Sequence, residues 1–295
     1  MRHSRITVLI SLTTIIVLST SLTTRAAAME ETFRAYWYDQ GAEITRYQLL
    51  QSRYGEQREG QAVLVYVTEP LSTDGQVKSD DPNAADAVPG LKLNHTRNFL
   101  TGIYPYHCLV TILQPIAGQG NSHPLKITTS VQEWCGHVFE QLNRSDSGWH
   151  YRLFSYFQSE GDQDRQLADA ITEDGLWTQL RVNPAAIVSG EQQVIPGALY
   201  RRFAHLRAEP VAASIAIDDG PEGLKVLRIS YPSLKRELAI SYDPEFPHTI
   251  AGWHERSGDE VTAATMTKRV FGPYWEWNQS SDVERRDGLD LPRRP

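Results

Sequence analysis

The stretch Ser130–Val138, SVQEWCGHV, places a carboxylate, an indole, a thiol and an imidazole within five residues. Three chemistries use such groups. A thiol beside an imidazole can be a nucleophile with its base, the same two groups are zinc ligands, and Glu133 with His137 could share acid–base work in a hydrolase. Each requires side chains that converge, which depends on the element carrying them.

The surrounding pattern is a strand pattern. On one continuous strand, Glu133, Cys135 and His137 share one face while Gln132, Trp134 and Gly136 take the other. Same-face neighbours then stand side by side, about 6–7 Å apart at Cα, and point the same way. An imidazole so placed is not aimed at the sulfur, and a tetrahedral ion needs three or four convergent ligands. His107, His123 and His150 lie in the same region, but their spacing matches no zinc signature. No metal site is expected, and nothing calls for a cofactor: the chain has no phosphate loop, dinucleotide fingerprint, nucleophile elbow or H-E-x-x-H helix. Glu160, Gly161 and Asp162 could supply a carboxylate to a hydrolase, but they read more simply as a cap at a strand-to-helix junction.

Cys108 and Cys135 are the only cysteines. Whether they pair depends on the hairpin between them. A loop centred between Asn121 and Ser122 sets them opposite each other, at a spacing that a disulfide can bridge. A loop centred between Pro115 and Pro124 sets them about four residues out of register.

The elements that must position these residues are mostly strands. Residues 43–54 and 60–68 form a hairpin about the Gly55–Gly60 turn. Residues 72–98, with Asp80, Asp81, Pro82, Pro89 and Gly90, read as a long irregular connection. Strands follow at 101–114, 125–142 and 149–158, joined by short turns that imply antiparallel neighbours. Further strands fall at 192–206, 211–218, 224–231, 234–242, 248–255 and 261–271. One helix is predicted over 163–181, capped by Asp162 and stopped at Asn183-Pro184, with Leu167, Ala170, Ile171, Trp177 and Leu180 on its packing face. The fold class is therefore mainly β: a large antiparallel curved sheet or half-barrel with at least one packed helix.

Residues 1–28 read as an export signal. Arg2 and Arg5 precede the apolar run Ile6–Leu22, and Ala26-Ala27-Ala28 supplies small residues for cleavage. An uncleaved anchor is the alternative. Cleavage leaves 267 residues and moves the net charge from −7 to −10. An acidic chain is poorly suited to nucleic acid or anionic membranes, and no transmembrane span is expected after signal removal. Residues 29–279 read as one β-rich domain, with a subdivision near 184 as the alternative, and 280–295 as a disordered tail. Asn94, Asn143 and Asn278 stand in glycosylation triplets, which matter only in a host that glycosylates exported chains.

Four blocks carry a resemblance: TGIYPYHCLVT (101–111), TTSVQEWCGHVFEQLN (128–143), SYFQSEGDQ (155–163) and IPGALYRR (195–202). They resemble a family of bacterial exported proteins, some of them lipoproteins, whose members sometimes carry the label septum formation inhibitor Maf. The resemblance implies envelope residence. The Ser-Pro-Arg-Arg-like loop of Maf nucleotide pyrophosphatases is absent, so no Maf activity or catalytic residue is carried over. Without a lipid-bearing cysteine at the cleavage site, soluble export to the periplasm or beyond is expected.

Three functions are compatible with these readings. One is non-catalytic binding of an apolar or lipidic ligand on a concave aromatic face, with Tyr104, Tyr106, Trp134, Trp149 and Tyr151 as candidate contacts. A second is an exported hydrolase using Glu133, His137 or a carboxylate of 160–162. The third is a structural or partner-binding envelope subunit.

Overall fold

A computed structural model describes residues 30–116 and 123–293. The proposed signal segment and the tip of the 117–122 loop lie outside the described residues. Residues 30–37 form a short helix, α1, in which Tyr36 packs edge-on and Phe33 at a tilt against Trp37. The chain divides after Gln40.

From Gly41 onward the chain builds one sheet of sixteen strands. The first half runs β1 (Ala42–Arg53), β2 (Glu56–Ser72), β3 (Val77–Lys78), β4 (Ala87–Thr101), β5 (Tyr104–Pro115), β6 (Lys126–Glu133), β7 (Gly136–Ser145), β8 (Gly148–Ser155) and β9 (Gln163–Ala168). Then come β10 (Ile171–Thr172), helix α2 (Glu173–Val182), β11 (Gly190–Ile195) and helix α3 (Ala198–Phe203). The second half is β12 (Val211–Asp219), β13 (Lys225–Tyr231), β14 (Arg236–Tyr242), β15 (Ile250–Ser257) and β16 (Glu260–Gly272). The spatial order is β10-β11-β12-β13-β14-β15-β16-β1-β2-β4-β5-β6-β7-β8-β9, with β3 appended to β2. Nearly every neighbour is therefore the next strand in the chain. The exceptions are β4, which pairs with β2 past the short β3, and the seam where β16 pairs with β1, Ala42 opposite Gly272. All pairs are antiparallel except β10 with β11. The edge strands β9 and β10 are consecutive in the chain yet not bonded to each other, so the curved sheet stays open. This is the expected class, one large curved antiparallel sheet with a few helices.

Strand alternation points one row of each strand into the curve. On β4 the inward row is Leu91, Leu93, His95, Arg97 and Phe99, all buried. Helix α2 fills the interior, and all ten of its residues are buried. A helix wrapped by a sheet has no solvent face, so each of its polar groups needs a partner on the wall. At its start, Glu173 accepts from both terminal nitrogens of Arg236 and from the Tyr231 hydroxyl at 2.7 Å. At its end, the Arg181 terminal nitrogens donate to both Glu43 oxygens at 2.7 and 2.6 Å, and its Nε donates to the Pro247 carbonyl. Between them the Tyr66 hydroxyl donates to the Trp177 carbonyl, and Trp177 packs among His95 and Trp253.

Several expectations are corrected. The helix does not span 163–181: Gln163–Ala168 pairs with β8, because its alternating residues suit a sheet edge, and Leu167 is buried there while Asp164 is exposed. Asp162 caps no helix; its Oδ1 accepts from the Ser155 amide. Residues 87–98 are strand, not connection, with Pro89 opposite Pro70 where neither owes a ladder donor. The expected strand 125–142 is a hairpin, β6–β7, folded at Trp134-Cys135. The expected strand 192–206 ends at Ile195 and gives way to α3. Residues 280–289 are a 3₁₀ helix rather than a disordered tail: Leu289 is buried with Ala42, Ile44 and Val67 on the outer face of β1–β2, joined by Trp277.

The cysteines are not paired. Cys108 stands opposite Val131, so the loop is centred between the two prolines and the thiols miss by four residues. Cys108 is buried, which pushes its thiol up to about 12, whereas Cys135 is exposed at the hairpin tip.

Three outcomes follow from this packing. Glu43→Gln leaves the Arg181 cation buried without its counter-charge and is expected to lower unfolding free energy by roughly 3–5 kcal/mol in urea titrations. Asp174, on α2, accepts from the Ala198 amide at 2.9 Å; burial and then neighbouring Glu173 push its carboxyl up to about 7, against the opposing pull of Arg201. The folded chain thus keeps a proton that the unfolded chain has released by about pH 4–5, and stability falls as pH rises toward 7. Asp174→Asn keeps the acceptor without the charge and should be more stable than the parent at pH 8 by about 2 kcal/mol, with the gap closing as pH approaches about 4. Thiol titration should count one reactive group in the native chain, Cys135, and a second only after unfolding.

Candidate functional site

The interior that α2 leaves open is a cleft of about 510 Å³ at one end of the curve. Three connections from the first half of the sheet border it, the β1–β2 turn at Tyr54, the β6–β7 hairpin end with Glu133 and Cys135, and Tyr156-Phe157 after β8, together with Tyr106 on β5. Helix α3 contributes Tyr200 and Phe203, and Ala204 and His205 follow just past its end. The floor holds Gln51, Arg97, Glu255 and Thr262, from β1, β4, β15 and β16. A void of about 30 Å³, enough for a water, adjoins it between Arg53, Glu133 and Phe203.

α3 is held against the sheet by its own arginines. Arg201 donates to both oxygens of Glu140, which also accepts from the Tyr151 hydroxyl. Arg202 bridges Glu140 and Glu160, and Glu160 accepts from Ser155 and contacts His205 Nδ1 at 2.9 Å. This clamp presents Phe203 edge-on to the stacked pair Phe99 and Tyr106, whose rings lie 4.9 Å apart. Tyr156 lies flat on Gly136, where a β-carbon would meet its ring at 2.4 Å, so only glycine permits the contact.

The floor is electrostatically closed. Arg97 donates to Gln51 Oε1 at 3.2 Å and lies 3.8 Å from Glu255, which also receives Arg236 at 2.9 Å. Burial would raise the Glu255 carboxyl, but Arg236 and Arg97 outweigh it and hold it below the usual range. His95 beneath is neutral: burial, then the Arg97 cation, depresses it well below an ordinary histidine.

Two residues on this cleft occupy the left-handed region that bulky side chains avoid. Tyr54 has φ 58° in the two-residue turn before Gly55, a place suited to asparagine. His205 has φ 53° just past α3, where glycine usually ends a helix. Both are tied in place, Tyr54 by a 2.8 Å bond between its hydroxyl and that of Tyr106, and His205 by Glu160. Backbone strain of this kind concentrates at functional sites.

The sequence candidates divide. Glu133 reaches the cleft; its Oε2 accepts the Cys135 amide at 2.6 Å, and its Oε1 accepts the Tyr156 hydroxyl. His137 does not. The turn at Trp134-Cys135 reverses the chain, so Glu133 opposes Gly136 while His137 opposes the outward Gln132 and bonds Ser130 at 2.9 Å. Glu133 and His137 are therefore on opposite faces. Cys135 borders the cleft, but its thiol is raised, chiefly by its hydrogen bond to Glu133. Of the expected ligand contacts, Tyr106 lines the cleft, whereas Tyr104 and Trp134 do not; their rings lie 6.4 Å apart, and Tyr104 sits 6.0 Å from Tyr106. Trp149 and Tyr151 are wholly buried and hydrogen-bonded to Ala170 and Glu140, so they are core. Arg53, Tyr54, Phe157, Phe203 and His205 were not legible as a set, and the expected Gly55–Gly60 turn leaves Tyr54 in a strand, whereas the chain turns at Tyr54-Gly55 and β2 starts at Glu56. Among the described residues no three His, Cys, Asp or Glu side chains converge to hold a metal ion. Nor is any described helix long and apolar enough to cross a membrane.

No protein-family model and no curated protein matches the chain. Its fold is similar to that of a beta-barrel-like protein of the domain of unknown function DUF1849 from Brucella abortus, at a TM-score of 0.50 and 9% identity, covering 79% of this chain and 98% of that one. At that identity the likeness is one of fold, and it sets the chain beside beta-barrel-like proteins.

Proposed function

We propose that this is an exported envelope protein that holds an amphipathic ligand in the cleft between the hairpin tips and α3, without transforming it. The observation that carries this reading is the cleft itself. Its volume of about 510 Å³ lies within the range of small-molecule sites, and aromatic rings wall it above a polar floor. Rings beside a few fixed charges suit a molecule with an apolar body and a polar end. Tyr54 and His205 support the same reading, since their backbone conformations cost stability that better turn residues would recover. Export rests on the Arg2-to-Ala28 segment and on the acidic charge of the remainder.

The location differs from the concave aromatic face expected from sequence. That face is occupied by α2, and the binding volume is what remains beyond it. A hydrolase built on Glu133 and His137 loses its geometric basis, because the two lie on opposite faces.

Native mass spectrometry and solvent extraction of the purified chain should recover a small amphiphile. Ala204 is exposed on the cleft wall, so Ala204→Trp should fill the volume without disturbing the core. It is expected to abolish the extracted ligand and leave the melting temperature unchanged. Retention of the ligand by this variant would place binding elsewhere.

A further inference from the structure

Most arginines that face the interior have carboxylate partners; Arg165, away from the cleft, bonds the Ala208 carbonyl instead, and of the arginines that line the cleft and the void beside it one has no such partner. Arg181 has Glu43, Arg201 and Arg202 have Glu140, Arg236 has Glu173, and Arg97 lies near Glu255. Arg53 is different. Its guanidinium bonds only neutral groups: the Phe203 carbonyl at 2.7 Å and the hydroxyls of Tyr54 and Tyr106 at 3.3 and 3.4 Å. Its Nε is buried with no hydrogen-bond partner. Rings surround it, with Tyr54 at 4.3 Å, Phe203 at 5.0 Å and Tyr106 at 5.5 Å from the guanidinium carbon. A guanidinium stacked in this way is held rigid and only partly hydrated. It borders both the main cleft and the small void beside it.

Glu133 borders the same two spaces, yet no ion pair joins it to Arg53, and its oxygens are engaged by the Cys135 amide and the Tyr156 hydroxyl. Glu255 is committed to Arg236 and Arg97. Glu260, at the start of β16, is exposed and is the remaining acid on the cleft. The cleft therefore contains a pre-positioned cation whose counter-charge the chain does not supply.

We propose that Arg53 is the anion-recognition residue of this cleft, and that the ligand is an amphiphile whose polar end carries a carboxylate or a phosphate. The fork of the guanidinium suits either oxyanion, and the adjacent rings receive the apolar body. The arrangement explains why Tyr54 is kept in the left-handed region. Its ring covers one face of Arg53 and its hydroxyl bonds Tyr106, which bears on Arg53 from elsewhere in the cage. An asparagine would relax the turn and uncover the cation. This inference rests on the cleft being a binding site and adds the ligand's charge.

Calorimetry on the full chain can separate the two claims. The probes are dodecanoate, dodecyl phosphate, dodecyltrimethylammonium, neutral dodecyl maltoside and inorganic phosphate. The anionic amphiphiles are expected to bind at least about tenfold more tightly than the cationic one, the scale of a charge-assisted hydrogen bond. Arg53→Gln should lower anion affinity by roughly ten- to a hundredfold and leave maltoside binding unchanged. Arg53→Lys should restore part of the loss, and circular dichroism would confirm that both variants are folded. Unchanged anion affinity in Arg53→Gln, or equal binding of all head groups by the parent, would overturn the role of Arg53 while leaving the cleft as a site. Phosphate binding as tightly as dodecyl phosphate would assign Arg53 to a free anion and overturn the amphiphile. Binding of none of the probes would overturn the cleft reading as well.

Discussion

A helix with no solvent face must satisfy every polar group against its container, and this constraint shapes the molecule. Helix α2 carries Glu173 at one end and Arg181 at the other, and each meets an opposite charge on the sheet in two-pronged geometry. Buried ion pairs of this kind add little net stability compared with apolar packing, but removing one partner is costly. Their value lies in position. The two ends are eight residues apart, about 12 Å along the axis, and the wall groups Arg236 and Glu43 accept them together at a single depth and rotation. Sliding or turning α2 would bury both charges without partners.

The same network extends to the cleft. Arg236 holds Glu173 on one side and Glu255 on the other, and Glu255 faces Arg97 on the floor. From the next helix, Arg202 connects the buried Glu140 to Glu160 and thence to His205 on the cleft wall. The walls of the cleft are thus tied to the core by continuous charge-assisted contacts. This arrangement preorganises a site, since its first contacts are locked by residues behind them. Against that regularity, Arg53 is the cleft's cation left with neutral partners, and Tyr54 and His205 are left-handed residues on the same cleft. Left-handed residues occur in other turns too, at Gln76, Glu222, Lys235, His248 and Asp290, but among the described residues only at the cleft do they flank a cation without a counter-charge, and such a coincidence marks where conformation serves something besides stability.

Much of the sheet was readable from the chain. Strands β1, β2, β5, β8 and β12 through β16 carry period-2 patterns bounded by turn residues, and an antiparallel meander needs no information beyond neighbouring turns. The misreadings have a common cause. Gln163–Ala168 looked helical because its apolar residues matched a helical face when extended into the real helix, whereas only pairing with β8 distinguishes the edge strand. The β6–β7 turn was hidden because Trp134-Cys135 contains none of the usual turn residues, and without it Glu133 and His137 seemed to share a face.

Residue order by itself determined the class of fold, the acidic charge, the hairpin grammar and the absence of familiar catalytic loops, because these depend on alternation and local turn chemistry. Tertiary structure alone decided which polar residues are partners. Glu43 with Arg181, Glu140 with Arg201 and Glu173 with Arg236 are separated by 138, 61 and 63 residues. Only the curving of the sheet around α2 and α3 brings them together. The cleft is the volume which that curving leaves unfilled, so it belongs to no local segment and could not be read from one.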